Sequence, residues 1–268
     1  MILLAFIGFG EVGQTFARDL AGRAGVRVAA YDLLFGDPKR GADLIARAEA
    51  LSVRVAADAA DASRDARVVI SAVTAAAAAE VAKAARAYLR PDQIFLDVNS
   101  ASPRTKQAGA EQVEAAGAHF VEGAVMAAVA GPGLKVPILV GGPAAQPAAE
   151  ILNPLGMNLT PVATEIGRAS ATKLARSIIM KGLEAALVQS AAAARAWEVE
   201  REVIASLQET YPGIEWQTTI ARAGERVAKH GVRRAEEMRE AGAMLEDLGL
   251  DPGLCRAIAA VQERGAKP

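Results

Sequence analysis

The sequence predicts an α/β chain, with a doubly wound parallel sheet over residues 1–162 followed by an all-α region over residues 163–268. Three observations lead there. Short β-branched runs alternate with helix-period segments through the first half, the spacing that parallel βαβ units require. Beyond about residue 162 no convincing strand run recurs, and helix-period text dominates from Thr164 to nearly Val199. Aromatic residues make up only 4% of the chain although 52% is hydrophobic, so the expected core is one of small aliphatic side chains packed closely, as between helices and a sheet.

Each element has its own signal. ILLAFIG (2–8) is a buried-strand run ended by glycine, and EVGQTFARDLAGRAG (11–25) sets Val12, Phe16 and Leu20 at helical spacing. VRVAAYD (26–32) is a second strand, a helix is expected over 40–51, and VRVAA (53–57) is a third short strand. ARVVISAV (66–73) is followed by an alanine-rich helix to about Leu89, and QIFLDV (93–98) by a helix with Pro103 near its first turn. AHFVEG, KVPILVGG and MNLTPV continue the alternation. In the helical region, breaks are expected at YPG (211–213), around His230–Gly231, and at GLDPG (249–253).

Composition narrows the partners. Thirty basic residues against 31 acidic ones give a net charge of −1, with no electrostatic reason to expect nucleic acid or an anionic membrane surface. Cys255 alone excludes an intramolecular disulfide and fits a reducing compartment. MILLAFIGFG lacks the basic flank of a signal peptide, and VVISAVTAAAAA from Val68 is shorter than the ~18–20 residues needed to span a bilayer. A soluble cytoplasmic protein is expected. His119 and His230 lack metal-ligand spacing, so no metal is assigned. Core or dimer packing accounts for Trp197, Tyr211 and Trp216.

The segment GFGEVG places Gly8, Gly10 and Gly13 in the G-x-G-x-x-G pattern, between a buried strand and a helix. There the pattern has a mechanism: Gly8 permits a tight turn, Gly10 clears the approach of a pyrophosphate, and Gly13 allows close helix–strand packing. Phe9, Glu11 and Val12 complete this cofactor loop, whose helix N-terminus offers free N–H groups and a positive dipole end. Asp32 ends the second strand, where an acidic residue accepts hydrogen bonds from ribose hydroxyls and repels a 2′-phosphate. The first domain is therefore expected to be a Rossmann domain binding NAD; Lys39 and Arg40 close by keep NADP possible.

The chain resembles the β-hydroxyacid dehydrogenases, relatives of 6-phosphogluconate dehydrogenase, through GFGEVG, VVISAVT, DVNSASP (97–103), the stretch from Gly123 to Gly142, and GRASATKLARS (167–177). AVM (124–126), VPIL (136–139) and KGLEA (181–185) resemble a poorly characterised branch with its own helical C-terminal domain. The resemblance implies cofactor contacts at Val73 and Thr74, substrate contacts at Asn99, Ser100 and Ser102, and a homodimer. Ser102 precedes Pro103, where a helix N-cap is the favoured reading over a substrate contact. The family's G-x-G-x-x-x-K-x-x-x-N pattern falls on Gly167, Ala169, Lys173 and Ser177, which implies Lys173 as general acid or base with Ser177 beside it.

Two departures bear on substrate: Met126, Ala127 and Ala128 stand where the family carries Ser-Gly-Gly, and Ser177 replaces its asparagine. Met126 suits a bulkier or less polar group. Ala169, Lys173, Ser177 and Lys181 share one helical face, and Lys181 stands either at a substrate anion, at a partner subunit or in solvent. An unperturbed lysine, with a pKa of about 10.4, is a poor base at neutral pH, so the catalytic role calls for a buried Lys173. The expected activity is hydride transfer between nicotinamide and a small hydroxyacid or related alcohol or carbonyl compound. The alternatives are an NADPH-dependent imine or ketone reductase and a non-catalytic dinucleotide sensor.

Overall fold

A computed structural model describes residues 1–266, and the chain divides into two compact units, Met1–Lys173 and Leu174–Pro268. The first unit runs β1 (Ile2–Ile7), α1 (Glu11–Ala21), β2 (Val26–Tyr31), α2 (Gly41–Ala50), β3 (Arg54–Val55), α3 (Ala59–Ser63), β4 (Val68–Ser71), α4 (Ala75–Ala85), β5 (Ile94–Asp97), α5 (Pro103–Glu114), β6 (His119–Val125), β7 (Pro137–Gly141), α6 (Ala145–Leu152) and β8 (Asn158–Ala163). Helix α7 (Arg168–Ala196) begins at its end.

The eight strands form one sheet in the order β3-β2-β1-β4-β5-β6-β7-β8. Side chains alternate between two buried clusters. Leu4, Phe6, Val68, Ile70 and Leu96 face one side with Phe16 and Leu20 of α1, while Ala5, Ile7, Val69 and Phe95 face the other with Ala110 and Val113 of α5. Burial on both faces is the reason these strands read as continuous apolar runs.

One pairing departs from the expected alternation: β7 lies antiparallel to β6. A parallel return needs a long crossover, and residues 126–136 contain only a short 3₁₀ turn, Gly133–Lys135.

The second unit contains the rest of α7 with α8 (Glu200–Thr210), α9 (Trp216–Asp247) and α10 (Gly253–Gly265). The breaks at YPG and GLDPG are present, but the one expected around His230–Gly231 is not, since α9 runs unbroken across it. Gly231 serves packing instead. A Cβ there would stand 2.1 Å from the Gln262 carbonyl oxygen of α10, and one on Gly265 would stand 2.5 Å from Val227 Cγ1 of α9. Close approach of the two helices offsets the roughly 1 kcal/mol that a glycine costs inside a helix. Trp216 is buried beside Leu187 and Ala223, with the Tyr211 ring 6.1 Å away, whereas Trp197 is 81% exposed and stands outside that packing. Among the described residues no helix is long and apolar enough to cross a membrane.

Two glycines of α9 separate packing from propensity. Gly231→Ala should destabilise the protein by about 1–3 kcal/mol through overpacking. Gly224→Ala, where a Cβ meets nothing within 4 Å, should stabilise it by roughly 0.5–1 kcal/mol. Denaturant unfolding of both variants measures the contrast, and equal effects would remove the packing explanation.

Candidate active site

The glycine loop is shaped by contacts that leave no room for side chains at two of its three positions. Gly8 has φ +97°, and a Cβ there would lie 2.4 Å from the Ala72 carbonyl oxygen. On Gly13 it would lie 2.3 Å from the Gly8 carbonyl oxygen, so α1 starts directly on the loop. Gly10 differs: a Cβ there meets nothing within 4 Å, and the residue is exposed at the N-cap of α1 with no side chain capping the helix. The first-turn N–H groups of α1 therefore face open space, where a pyrophosphate has donors and no steric barrier. Phe9 is buried against Phe35, Val12 packs partly buried on the core, and Glu11 stays exposed.

Asp32 closes the far side of this cradle. Its Oδ2 accepts a hydrogen bond from Phe9 N at 2.6 Å and its Oδ1 one from Leu34 N at 2.8 Å. A carboxylate has about four acceptor sites, so two remain for ribose hydroxyls. The open Gly10, the uncapped helix and the partly used carboxylate together fit a dinucleotide. Lys39 and Arg40 are organised by Asp37, whose Oδ1 accepts from both backbone N–H groups while Arg40 Nη2 sits 3.4 Å from Oδ2. The Arg40 N–H, and then that of Lys39, hold the Asp37 carboxyl below its ordinary range.

The ends of β4 and β5 are tied together by Asn99. Its Oδ1 accepts from Val73 N at 2.6 Å, its Nδ2 donates to Ser71 Oγ at 2.9 Å, and its own N–H donates to Asp97 Oδ1 at 2.9 Å. Thr74, exposed, follows as the N-cap residue of α4. Ser102 is the N-cap of α5 and accepts from Thr105 N at 3.3 Å, the capping role its place before Pro103 suggests. Met126, half-buried just past β6, donates its N–H to the Pro137 carbonyl.

Ser100 meets Lys173. The Lys173 Nζ donates to Ser100 Oγ at 2.5 Å, and the lysine is 9% exposed. The face sketched from the sequence is thus largely buried rather than solvated, with Ala169 and Ser177 at 0% and 2% exposure.

Two buried charges here escaped the sequence reading. Lys106 of α5, 1% exposed, donates from Nζ to the Asp97 carbonyl at 2.9 Å and lies 3.1 Å from Asp97 Oδ1. Glu122 of β6, fully buried, accepts from Gly167 N, Ala169 N, Ser170 N and Ser170 Oγ at 2.7–3.2 Å. Both had signals. Lys106 interrupts the buried face it shares with Gly109, Ala110 and Val113, and Glu122 interrupts the buried apolar run of β6 from Phe120 to Ala124.

Ser177 and Lys181 belong to the second unit, where Glu237 of α9 engages both. Lys181 Nζ lies 2.8 Å from Glu237 Oε2 and donates to Ser177 Oγ at 3.0 Å, while Ser177 Oγ donates to Glu237 Oε1 at 3.0 Å. Burial lowers the Lys181 pKa, and the Glu237 carboxylate opposes that shift. A second carboxylate, Glu184, takes Arg226 at 3.2 Å and also Arg234. Among the described residues no group of three or more His, Cys, Asp and Glu is placed to hold a metal ion.

The sheet order, the glycine cradle and the acid at the end of β2 define a dinucleotide-binding domain of the Rossmann class. Residues 3–164 match the NAD binding domain of 6-phosphogluconate dehydrogenase, and the chain belongs to that family. Residues 194–265 match a domain of unknown function, DUF1932. A conserved hypothetical protein from Sinorhizobium meliloti 1021 is 42% identical with a TM-score of 0.83, over 98% of this chain and 88% of that one. Conserved protein MTH1747, described as structurally similar to 3-hydroxyacid dehydrogenases, is 32% identical with a TM-score of 0.79, over 98% and 96%. The Mycobacterium tuberculosis 3-hydroxyisobutyrate dehydrogenase, solved with L-serine, shares the fold at 18% identity and a TM-score of 0.80, over 98% and 93%. No curated protein matches the chain.

The Ser177–Lys181–Glu237 contacts are testable as one unit. Lys181→Met removes the cation paired with a mostly buried carboxylate and should destabilise the protein, whereas adding Glu237→Leu should recover part of the loss. A double-mutant cycle should give a coupling of about 1–3 kcal/mol. Strict additivity would show that the pair contributes nothing.

Proposed function

We propose that the chain is an NAD-preferring oxidoreductase that moves a hydride between nicotinamide and a small hydroxyacid or related alcohol or carbonyl compound, with Lys173 as general acid or base. The observation that carries this reading is the buried Lys173 Nζ on Ser100 Oγ, in the domain that bears the glycine cradle. When bound, the nicotinamide supplies the hydride acceptor or donor. Everything else falls to the chain. Gly8, Gly10 and Gly13 admit the pyrophosphate, and Asp32 takes the ribose hydroxyls. Asn99 holds the turn after β5 against Val73, and Ser100 offers its hydroxyl where a substrate oxygen would sit. Lys173 Nζ gives a proton to that oxygen on reduction and removes it on oxidation.

Substrate choice follows from Met126. It and the two exposed alanines after it supply little side-chain polarity for a second carboxylate, which supports a substrate bulkier or less polar than the small β-hydroxyacids.

Fluorescence titration should show NADH binding at least about tenfold tighter than NADPH, a difference of about 1.4 kcal/mol, and Asp32→Ala should erase the preference. Tighter NADPH binding in the native protein would sink the assignment of Asp32. Lys173→Met should keep NADH affinity within about twofold and lose about 10²–10⁴ in turnover. Turnover is followed at the nicotinamide absorbance, in a screen of hydroxyacids, alcohols, ketones and imines in both directions. Undiminished turnover in that variant would refute the lysine's role.

A further inference from the structure

Lys173 rides on the second turn of α7, so whatever fixes the start of that helix fixes the ammonium. Helices are ordinarily capped by a side chain at the N-cap position that accepts from the N2 or N3 backbone N–H groups. The residue before α7 is Gly167, with φ +109°, which has no side chain to offer. Glu122 replaces it from the sheet. Its Oε1 accepts from Gly167 N at 2.7 Å and Ala169 N at 2.9 Å, and its Oε2 from Ser170 N at 3.2 Å and Ser170 Oγ at 2.7 Å. Four donors account for a fully buried carboxylate that would otherwise be very costly, and its charge lies against the positive end of the helix dipole.

The surroundings of Glu122 are built to hold it in place. Gly141 stands opposite it in the β6–β7 register, and a Cβ on Gly141 would come within 2.5 Å of Glu122 Oε1. On the other side Glu122 pairs in register with Asp97 at the end of β5. Asp97 is clamped by Lys106 and accepts from Asn99 N, the residue before Ser100. Neighbouring strand positions thus anchor the two partners of the Lys173–Ser100 bond separately. The Asp97 side holds the turn that carries Ser100, and the Glu122 side holds the helix that carries Lys173.

We infer that Glu122 is a positioning residue for Lys173, acting through the first turn of α7 rather than by touching substrate or cofactor. The inference rests on the reading of Lys173 as the acid or base, and it attributes the lysine's placement to a carboxylate from β6 that meets α7 about one helical turn before the lysine. A purely structural role for Glu122 would affect stability and leave the environment of the lysine amine unchanged.

Three substitutions of graded severity test it. Ser170→Ala removes one donor of four, Gly141→Ala displaces the carboxylate while keeping its charge, and Glu122→Gln keeps its shape but turns an N–H toward the helix donors. Reductive methylation with ¹³C-formaldehyde labels the lysine amines, and the Lys173 resonance is the one lost in Lys173→Met. In the native protein that resonance should stand apart from those of exposed lysines. It should move part of the way toward them in Ser170→Ala and further in the other two, with the NADH dissociation constant held within about twofold.

A Lys173 resonance that ignores Ser170→Ala and Gly141→Ala overturns the inference even if Glu122→Gln fails to fold. Loss of NADH affinity in step with the shift overturns it too, because the effect would then be a general loosening of the domain. If no compound in the screen turns over while the resonance responds, Lys173 fails as acid or base and the tether stands. If the enzyme turns over while the resonance does not respond, only the tether fails.

Discussion

Strands β1, β4 and β5 are covered on both faces by apolar side chains, so a polar group along their middles has no access to water. An unpaired one there would cost several kcal/mol. Along these three strands polar chemistry is therefore confined to the carboxyl ends, where the backbone leaves the sheet. Gly8, Asp32, Val73, Asn99 and Ser100 all lie just past the carboxyl end of a parallel strand, and the open side of the glycine cradle is there as well. The location of the candidate site follows from the solvation of the sheet.

Where charge does enter the interior, it is answered locally. Asp97 is paired with Lys106, and Glu122 is satisfied by backbone N–H groups and a hydroxyl. In the second unit Glu237 binds Lys181 and Ser177, while Glu184 takes two arginines. Buried pairs of this kind add little net stability against an apolar replacement, yet they penalise any arrangement that separates the partners. Their value in the first unit lies in geometry: they hold a serine and a lysine together whose residues are 73 positions apart in the chain.

How much could be read beforehand differs from element to element. The strands of the first unit and its helices α1, α2, α4 and α5 were legible because period-2 and period-3.6 patterns are local, whereas the short α3 and α6 were not read, and GFGEVG was legible because its glycines answer to sterics within a single turn. The antiparallel β7 was not, since a strand's direction depends on the path of its connection and leaves no mark in its own residues. Gly231 misled in the same way. A glycine inside helical text reads as a break, and only the Gln262 carbonyl beside it shows that it permits close packing. Lys106 and Glu122 were visible as charges in apolar patterns, but their partners lie on other elements.

The sequence by itself determined the class of fold, through the alternation of strand and helix patterns, and the glycine pattern with Asp32 behind it, through local spacing; Lys173 stood out only through the resemblance to the family's pattern. Only the tertiary structure decided that Lys173 is buried on Ser100, that Asn99 ties β4 to β5, and that a carboxylate from β6 starts the helix carrying the lysine. Those are contacts between residues 26 to 73 positions apart. They come into being when the chain closes into a sheet, and local periodicity carries no information about which side chains that closure brings together.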